Sequence, residues 1–427
     1  MKIHIAALVA GAYASALGAQ VPTVARRDSI ALTRGAAIAA ALANNPQLEV
    51  AREQTAQARA RRVQAVAVPD PALTYSLDNQ PGFLKLGSAS EKNAALELAI
   101  PFPDKFRLRN RVATADVRSA EFGYTSVRQQ LAAQTSRSYD TLLVAFGHRD
   151  IIQTSRSLAA DFLAKTNARY QGGTAAKLDV IKAQVSLAQA DNDLIAAERD
   201  IITAADAIDR LIGQPLGTPV APTDSLTVPP PLPDVDAVEQ AAITSRPEIA
   251  SLASQRMGAS AATSLAREFW LPDFTMSVQR DYGPDGSGAL FSAGVALPVP
   301  IFYWQHTKGE IAEGQHRERE LAAASRDLLA EVSQDVRATH AAASAALRQS
   351  IYIRDALLPA AREAYRVASV SYGLGGSSAL DVLDARRNLL DAELQYTDAL
   401  AAANSARADL ERAAATPLDR LAPGRTP

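Results

Sequence analysis

The chain has 427 residues, a formal net charge of −2, 48% hydrophobic residues, few aromatics and no Cys. Near-neutral charge without a basic block argues against nucleic acid as a partner, and the lack of Cys excludes disulfides, thiolate metal sites and lipid attachment through an N-terminal Cys. Sparse aromatics with abundant alanine favour long, closely packed helices over a thick globular core.

Residues 1–19 read as a signal peptide: Lys2 precedes an apolar, small-residue run over Ile5–Ala16, with cleavage after Ala16 or Ala19. The run is too short to cross a bilayer as a helix, and no later stretch is long and apolar enough to do so. An exported chain of this kind enters a membrane only as β-structure.

A first structural repeat is expected over residues 20–212. After an irregular leader, the pattern from Ser29 is helical and interrupted at Asn44–Pro46, where Pro46 suits the first turn of a second helix ending near Val68. The period then drops to two: Leu73, Tyr75 and Leu77 face one way, and Leu96, Leu98 and Ile100 alternate with Ala95, Glu97 and Ala99. This predicts a β-hairpin over 70–101, with a Gly-bearing loop at Gln80–Asn93. Pro101 and Pro103 end it, and a long helical hairpin over 105–212 follows, its outgoing arm able to bend or break at Gly147. The returning arm carries Val180, Leu187, Leu194, Ile201 and Ile208 at seven-residue spacing, with Ala183, Ala190, Ala197, Ala204 and Leu211 in the row three residues on. These are the two core rows of a coiled coil.

Residues 213–235 form a Pro-rich connector, and a second repeat over 236–415 follows the same programme. SRPEIASLA echoes NNPQLEVA, and LPDFTMS echoes VPDPALTYS. A second β-hairpin is predicted over 272–299 with a turn at Gly283–Gly288, then a helical hairpin over 305–415, interrupted near Pro359. The tail, 416–427, is expected to be flexible. Both hairpin tips read alike: aligning Tyr170 with Tyr372 also aligns Gly173 with Gly375, Leu178 with Leu380 and Asp179 with Asp381. Glycine supplies the positive φ that closes such a turn.

In its two-fold repeat, its PDPALTYS and LPDFTMS strand starts, its basic KFRLRNRVA helix entry and its paired tips, the sequence resembles the TolC family of outer-membrane efflux proteins over nearly all of residues 29–418. The resemblance implies a mainly α protein with a small β part. Duplicated αα-hairpins would form a trimeric α-helical barrel, and four transmembrane strands per chain would join a shared twelve-stranded barrel in the outer membrane. Two hairpins per chain leave edges that lipid cannot satisfy, which independently requires several copies. The implied partners are a homotrimer, outer-membrane lipid, a periplasmic adaptor and an inner-membrane pump of the RND type. Length, strand starts and helix entry look closest to members serving heavy-metal efflux. The alternative is a soluble periplasmic coiled-coil interaction protein.

By the same resemblance, Asp381 and Asp384 match inward-facing gate carboxylates, and Asp179 is the repeat equivalent of Asp381. Carboxylates gathered by symmetry would repel one another, attract cations and have raised pKa values; the competing role is a solvated acid at a helix N-terminus. Tyr170, Gly172, Gly173, Tyr372, Gly373, Leu374 and Gly375 are the expected adaptor-contact surface, against the simpler role of turn geometry. His148, His306, His316 and His340 lack metal-ligand spacing, and no nucleophile motif or phosphate loop occurs. The expectation is a passive duct without cofactor or catalysis.

Overall fold

The computed structural model describes residues 30–78, 91–282, 289–299 and 301–421. The expected signal peptide, the Gly283–Gly288 turn and most of the Gln80–Asn93 loop lie outside these residues.

The first repeat runs β1 (Ile30–Leu32), α1 (Arg34–Asn44), α2 (Pro46–Ala65), β2 (Ala72–Asp78), β3 (Glu91–Ile100), α3 (Pro103–Gln171) and α4 (Lys177–Ile212). After β4 (Val220–Pro222) the second runs α5 (Val235–Ser245), α6 (Pro247–Arg267), β5 (Phe274–Tyr282), β6 (Ala289–Ala296), α7 (Tyr303–Tyr352), a π-helical turn (Ile353–Leu357), α8 (Leu358–Leu374) and α9 (Ala379–Ala414).

Three local expectations are corrected. The helix expected from Ser29 begins at Arg34, because Ile30–Leu32 pairs in parallel with Val220–Pro222 and Thr33 Oγ1 accepts from Ala36 N at 3.1 Å as the N-cap. The Pro-rich connector is thereby tied back onto the start of the first repeat. Gly147 does not break its helix: α3 is continuous over 69 residues, about 100 Å at 1.5 Å per residue. A Cβ at Gly147 would lie 3.1 Å from Thr397 Cγ2, so this glycine permits a close approach of α3 and α9. At the C-terminal end, Leu418 is fully buried in the second core, so the expected flexible tail is docked at least that far.

The sheet is four-stranded and antiparallel, in the order β2-β3-β5-β6, so the two hairpins join through β3 and β5. Its register sorts side chains cleanly. Leu73, Leu96 and Val278 are cross-strand neighbours on one face, as are Leu98, Met276 and Val295, while Glu97 and Ser277 share the other. One face is therefore almost wholly apolar and exposed, and the opposite face is polar.

Each repeat has its own core. Ala37, Ala41, Tyr139, Leu142, Ile208 and Leu211 pack in the first, and Val238, Ala242, Val332, Val336 and Leu410 in the second. The alanine rows are buried, with Ala183, Ala190, Ala197 and Ala204 on α4 and Ala385, Ala392, Ala399 and Ala413 on α9. α3 packs against α2, α4, α6 and α9, and α9 in turn packs against α7 and α8. The residue before each helix-starting proline caps the returning helix of its own repeat: Asn45 Nδ2 donates to Leu211 O at 2.9 Å, and Arg246 Nε donates to Ala413 O at 2.6 Å. One device is thus built twice from different side chains, each quenching an orphan carbonyl at a helix C-terminus.

Where β1 and α1 meet α3, Asp140 is 1% exposed, pairs with Arg34 and accepts from Ser405 Oγ at 3.3 Å. Burial pushes its carboxyl up to about 6, against the opposing pull of Arg34 and the Ser405 hydroxyl. A carboxyl raised on folding takes up its proton sooner in the folded than in the unfolded chain. Its contribution to stability is full below the unfolded value and is lost as pH rises towards about 6. Asp209 and Glu411 are also raised, mainly by burial, and act in the same direction. Asp140→Asn is expected to flatten the decline in the apparent Tm of the helical circular-dichroism signal between pH 4 and pH 6; an unchanged slope would assign that decline to other groups.

Candidate gate and hairpin tips

Both tips close by the same six-residue motif. Thr174 N donates to Arg169 O at 2.9 Å and Gly376 N to Ser371 O at 2.8 Å, with Gly173 (φ 71°) and Gly375 (φ 84°) in the left-handed position between. Equivalent bonds join Gly173 N to Tyr170 O and Gly375 N to Tyr372 O, at 3.0 and 3.1 Å. These are Schellman turns, and the positive φ accounts for a glycine at that place in each copy. Gly172 has φ −79° and Gly373 lies inside α8, so neither is required by backbone conformation.

The aligned tyrosines part company. Tyr170 is 43% exposed, whereas Tyr372 is 4% exposed. The Tyr372 ring lies 5.2 Å from that of Phe162, its hydroxyl bonds Thr166 Oγ1 at 3.3 Å, and the Arg169 guanidinium stacks over it at 4.4 Å. Arg169 also donates to the Tyr372 carbonyl and, at 3.2 Å, to Thr174 O, so one side chain ties both tips together. Tyr372 is thus withdrawn from the expected contact surface within the chain. The large side chains left exposed at the tips are Tyr170, Leu374, Leu178 and Leu380. The last two are matched in the repeat alignment and are apolar where a solvated helix start would carry a polar residue; that mismatch is their signal in the sequence.

The three carboxylates also differ. Asp381 closes a reciprocal capping box: its Oδ2 accepts from Ser378 N and Ser378 Oγ at 2.8 Å each, while Ser378 Oγ accepts from Asp381 N at 3.2 Å. The backbone and then the hydroxyl of Ser378 hold its carboxyl below the usual range. Within one chain this reverses the raised value expected from mutual repulsion. Asp384 is exposed, receives a 3.4 Å bond from Asn388 Nδ2, and lines a groove with Lys182, Arg387 and Asp391. Asp179 lies half-buried in the first turn of α4.

The groove runs between α4 and α9 over α3 and has a volume of about 920 Å³. Beside it, Arg386 is buried and donates to Ser155 Oγ and Ser186 Oγ at 2.7 Å each, cross-linking three helices, and burial lowers its pKa. Sequence reading missed Arg386 because it sits next to the alanine row, where a cation is not expected. Among the described residues no cluster of His, Asp and Glu has the makings of a metal site.

The model of the family described as "Outer membrane efflux protein" matches residues 37–214 and again 238–416. The chain belongs to this family. The double match falls on the two structural repeats. The cobalt-zinc-cadmium resistance protein CzcC of Cupriavidus metallidurans is 23% identical, with 92% of each chain covered. TolC of Vibrio cholerae is 24% identical, with 83% of this chain and 84% of that one covered. Among solved structures, CusC superposes with a TM-score of 0.76 at 18% identity, covering 92% of this chain and 95% of CusC. The CmeC channel of Campylobacter jejuni gives 0.73 at 17%, covering 89% and 85%. The protein is therefore a TolC-family outer-membrane efflux channel with a large periplasmic portion. This sets aside the soluble coiled-coil alternative.

The unequal tyrosines give a direct comparison. Tyr372→Ala is expected to destabilise the tip end by about 3 kcal/mol through the cavity it leaves, while Tyr170→Ala changes stability by no more than about 0.5 kcal/mol. Amide hydrogen exchange at the ends of α8 and α9 reads the difference, and equal protection in the two variants would contradict the assignment.

Proposed function

We propose that three copies close into one passive duct, which receives solutes at the tips from a periplasmic adaptor and an inner-membrane pump of the RND type and releases them outside the cell. The observation that carries this reading is that both layers of the chain end in open edges. Among the described residues the sheet stops at β2 and β6. The helical layer leaves Ile181, Val185, Ile195 and Ile202 exposed on α4 and Val367, Val370 and Leu374 exposed on α8. A β2 edge meeting the β6 edge of the next copy is a head-to-tail contact, and such contacts make a closed ring when the rotation closes. Closure in lipid leaves no unpaired edge. Threefold order follows the family resemblance. Detergent-extracted protein is expected to have the mass of a trimer, and because the chain has no Cys, cysteine pairs introduced into β2 and β6 should cross-link only between copies. A monomer in mild detergent would defeat the reading.

Metal cations are the favoured cargo. CzcC, named for cobalt, zinc and cadmium resistance, aligns over 92% of this chain, and the polar face of the sheet carries Asp78, Glu91, Glu97 and Asp281. Acidic walls concentrate cations in a water-filled duct.

Among the gate candidates, Asp381 is the one whose carboxylate is engaged in a helix cap, and we assign cation attraction at the entrance to Asp384, exposed along the groove, with Asp381 in support and Asp179 as its outer counterpart. The tip surface of Tyr170, Leu374, Leu178 and Leu380 is assigned to the adaptor, with Gly172, Gly173, Gly373 and Gly375 shaping the turns and Tyr372 anchoring them. Asp384→Ala is expected to weaken block of single-channel current by cobalt ions in planar bilayers, whereas Asp381→Ala also costs the cap about 1 kcal/mol. Identical block in Asp384→Ala and native channels would remove Asp384 from the gate.

A further inference from the structure

We propose that the outward face of the sheet, near its loop end, binds the phosphate groups of anionic outer-leaflet lipid through Lys92 and Arg280. The inference rests on the sheet spanning the outer membrane.

The register fixes where these two cations stand. Tyr75, Ala94, Arg280 and Phe291 form one cross-strand row, and Leu77, Lys92 and Tyr282 form the next row towards the loops. Residues directly opposite share a face, and the face of these rows is that of Leu73, Leu96, Met276, Val278 and Val295. Lys92 and Arg280 are therefore on the lipid side of the barrel. They occupy diagonal positions on neighbouring strands, about 7–8 Å apart.

Neither cation has a carboxylate partner among the described residues. The acids at the same height, Asp78, Glu91 and Asp281, belong to the inward face; there Asp281 accepts from Gln279 and from Ser292 Oγ at 3.2 Å, and Asp78 accepts from Asn93 Nδ2 at 2.9 Å. Arg280 instead packs between two rings, its guanidinium carbon 4.7 Å from the centroid of Tyr282 and 5.4 Å from that of Phe291. Stacking holds the planar group against the sheet and leaves its N–H edge free to donate.

Position along the strand decides what the pair can meet. A cation facing lipid is strongly unfavourable at the bilayer midplane, and the penalty falls close to zero at the interface. Arg280 stands two residues before the end of β5 and Lys92 is the second residue of β3, both at the end away from the helices. That end lies at the outer leaflet when the helices are periplasmic. A rigid guanidinium fork beside a mobile ammonium suits phosphate oxygens, and the flanking rings sit where aromatic residues line the membrane interface.

The test measures the thermal shift of the detergent-purified channel with diphosphorylated lipid A, with enzymatically dephosphorylated lipid A, and with inorganic phosphate at equal concentration. The native channel is expected to be stabilised by the phosphorylated lipid alone. Lys92→Gln/Arg280→Gln should bind that lipid about tenfold more weakly, while the conservative Lys92→Arg retains it. Pore formation in planar bilayers by the double variant shows that the barrel itself is intact, which separates failure of the lipid site from failure of the membrane reading. A native channel that does not distinguish the two lipids, or responds equally to inorganic phosphate, would overturn the proposal; so would a double variant that binds with native affinity. Because the native channel's discrimination between lipids is decisive by itself, the test stands even if the double variant does not fold.

Discussion

The structure depends on one constraint: inside lipid, every backbone N–H and C=O must find a partner within protein. A four-stranded sheet with free β2 and β6 edges violates that condition by itself. On the proposed assembly the single chain is an arc of a barrel, and its architecture reads as a way of making arcs that join. The helical layer obeys a weaker, aqueous version of the same demand, since the apolar stripes on α4 and α8 require cover but do not have to be hydrogen-bonded.

Duplication supplies the arc, and divergence within the duplicate supplies function. The two cores, the two proline-led kinks and the two Schellman turns occupy equivalent places. Chemistry at those places has drifted wherever geometry allowed it. Asn45 and Arg246 do the same capping, but Arg246 adds an ion pair with Asp335. Tyr170 and Tyr372 share a place in the turn, yet one faces solvent and the other joins the two tips through Arg169. The glycines Gly173 and Gly375 have not diverged, because only the backbone conformation specifies them.

Periodicity made most of the fold legible. A period of two marked all four strands, with Pro101 and Pro103 as stops, and seven-residue spacing identified the buried rows of α4 and α9. What escaped was long-range. Ile30–Leu32 carries an apolar run compatible with a helix, and its partner Val220–Pro222 lies almost the whole first repeat away, so no local window contains the pairing. Gly147 looks like a helix breaker unless Thr397 is known to press against it. At the candidate site, residue types were visible but their environments were not. Asp381 and Asp384 read as a like pair three residues apart. Separating them needs the Ser378 capping geometry, in which the serine and Asp381 bond reciprocally, a pairing that residue type and spacing alone do not display.

The two hairpins differ in one more respect. α3 is unbroken from sheet to tip, while the corresponding arm of the second repeat passes through the π-helical turn at Ile353–Leu357, just before Pro359. A π-turn widens the helix by one residue and reorders its hydrogen bonds, at the place where the proline removes a donor. The first hairpin thus behaves as a stiff strut and the second as a jointed arm. The joint lies in the outgoing arm alone, and the returning helix α9, which carries Asp381 and Asp384, runs unbroken from the tip to Ala414.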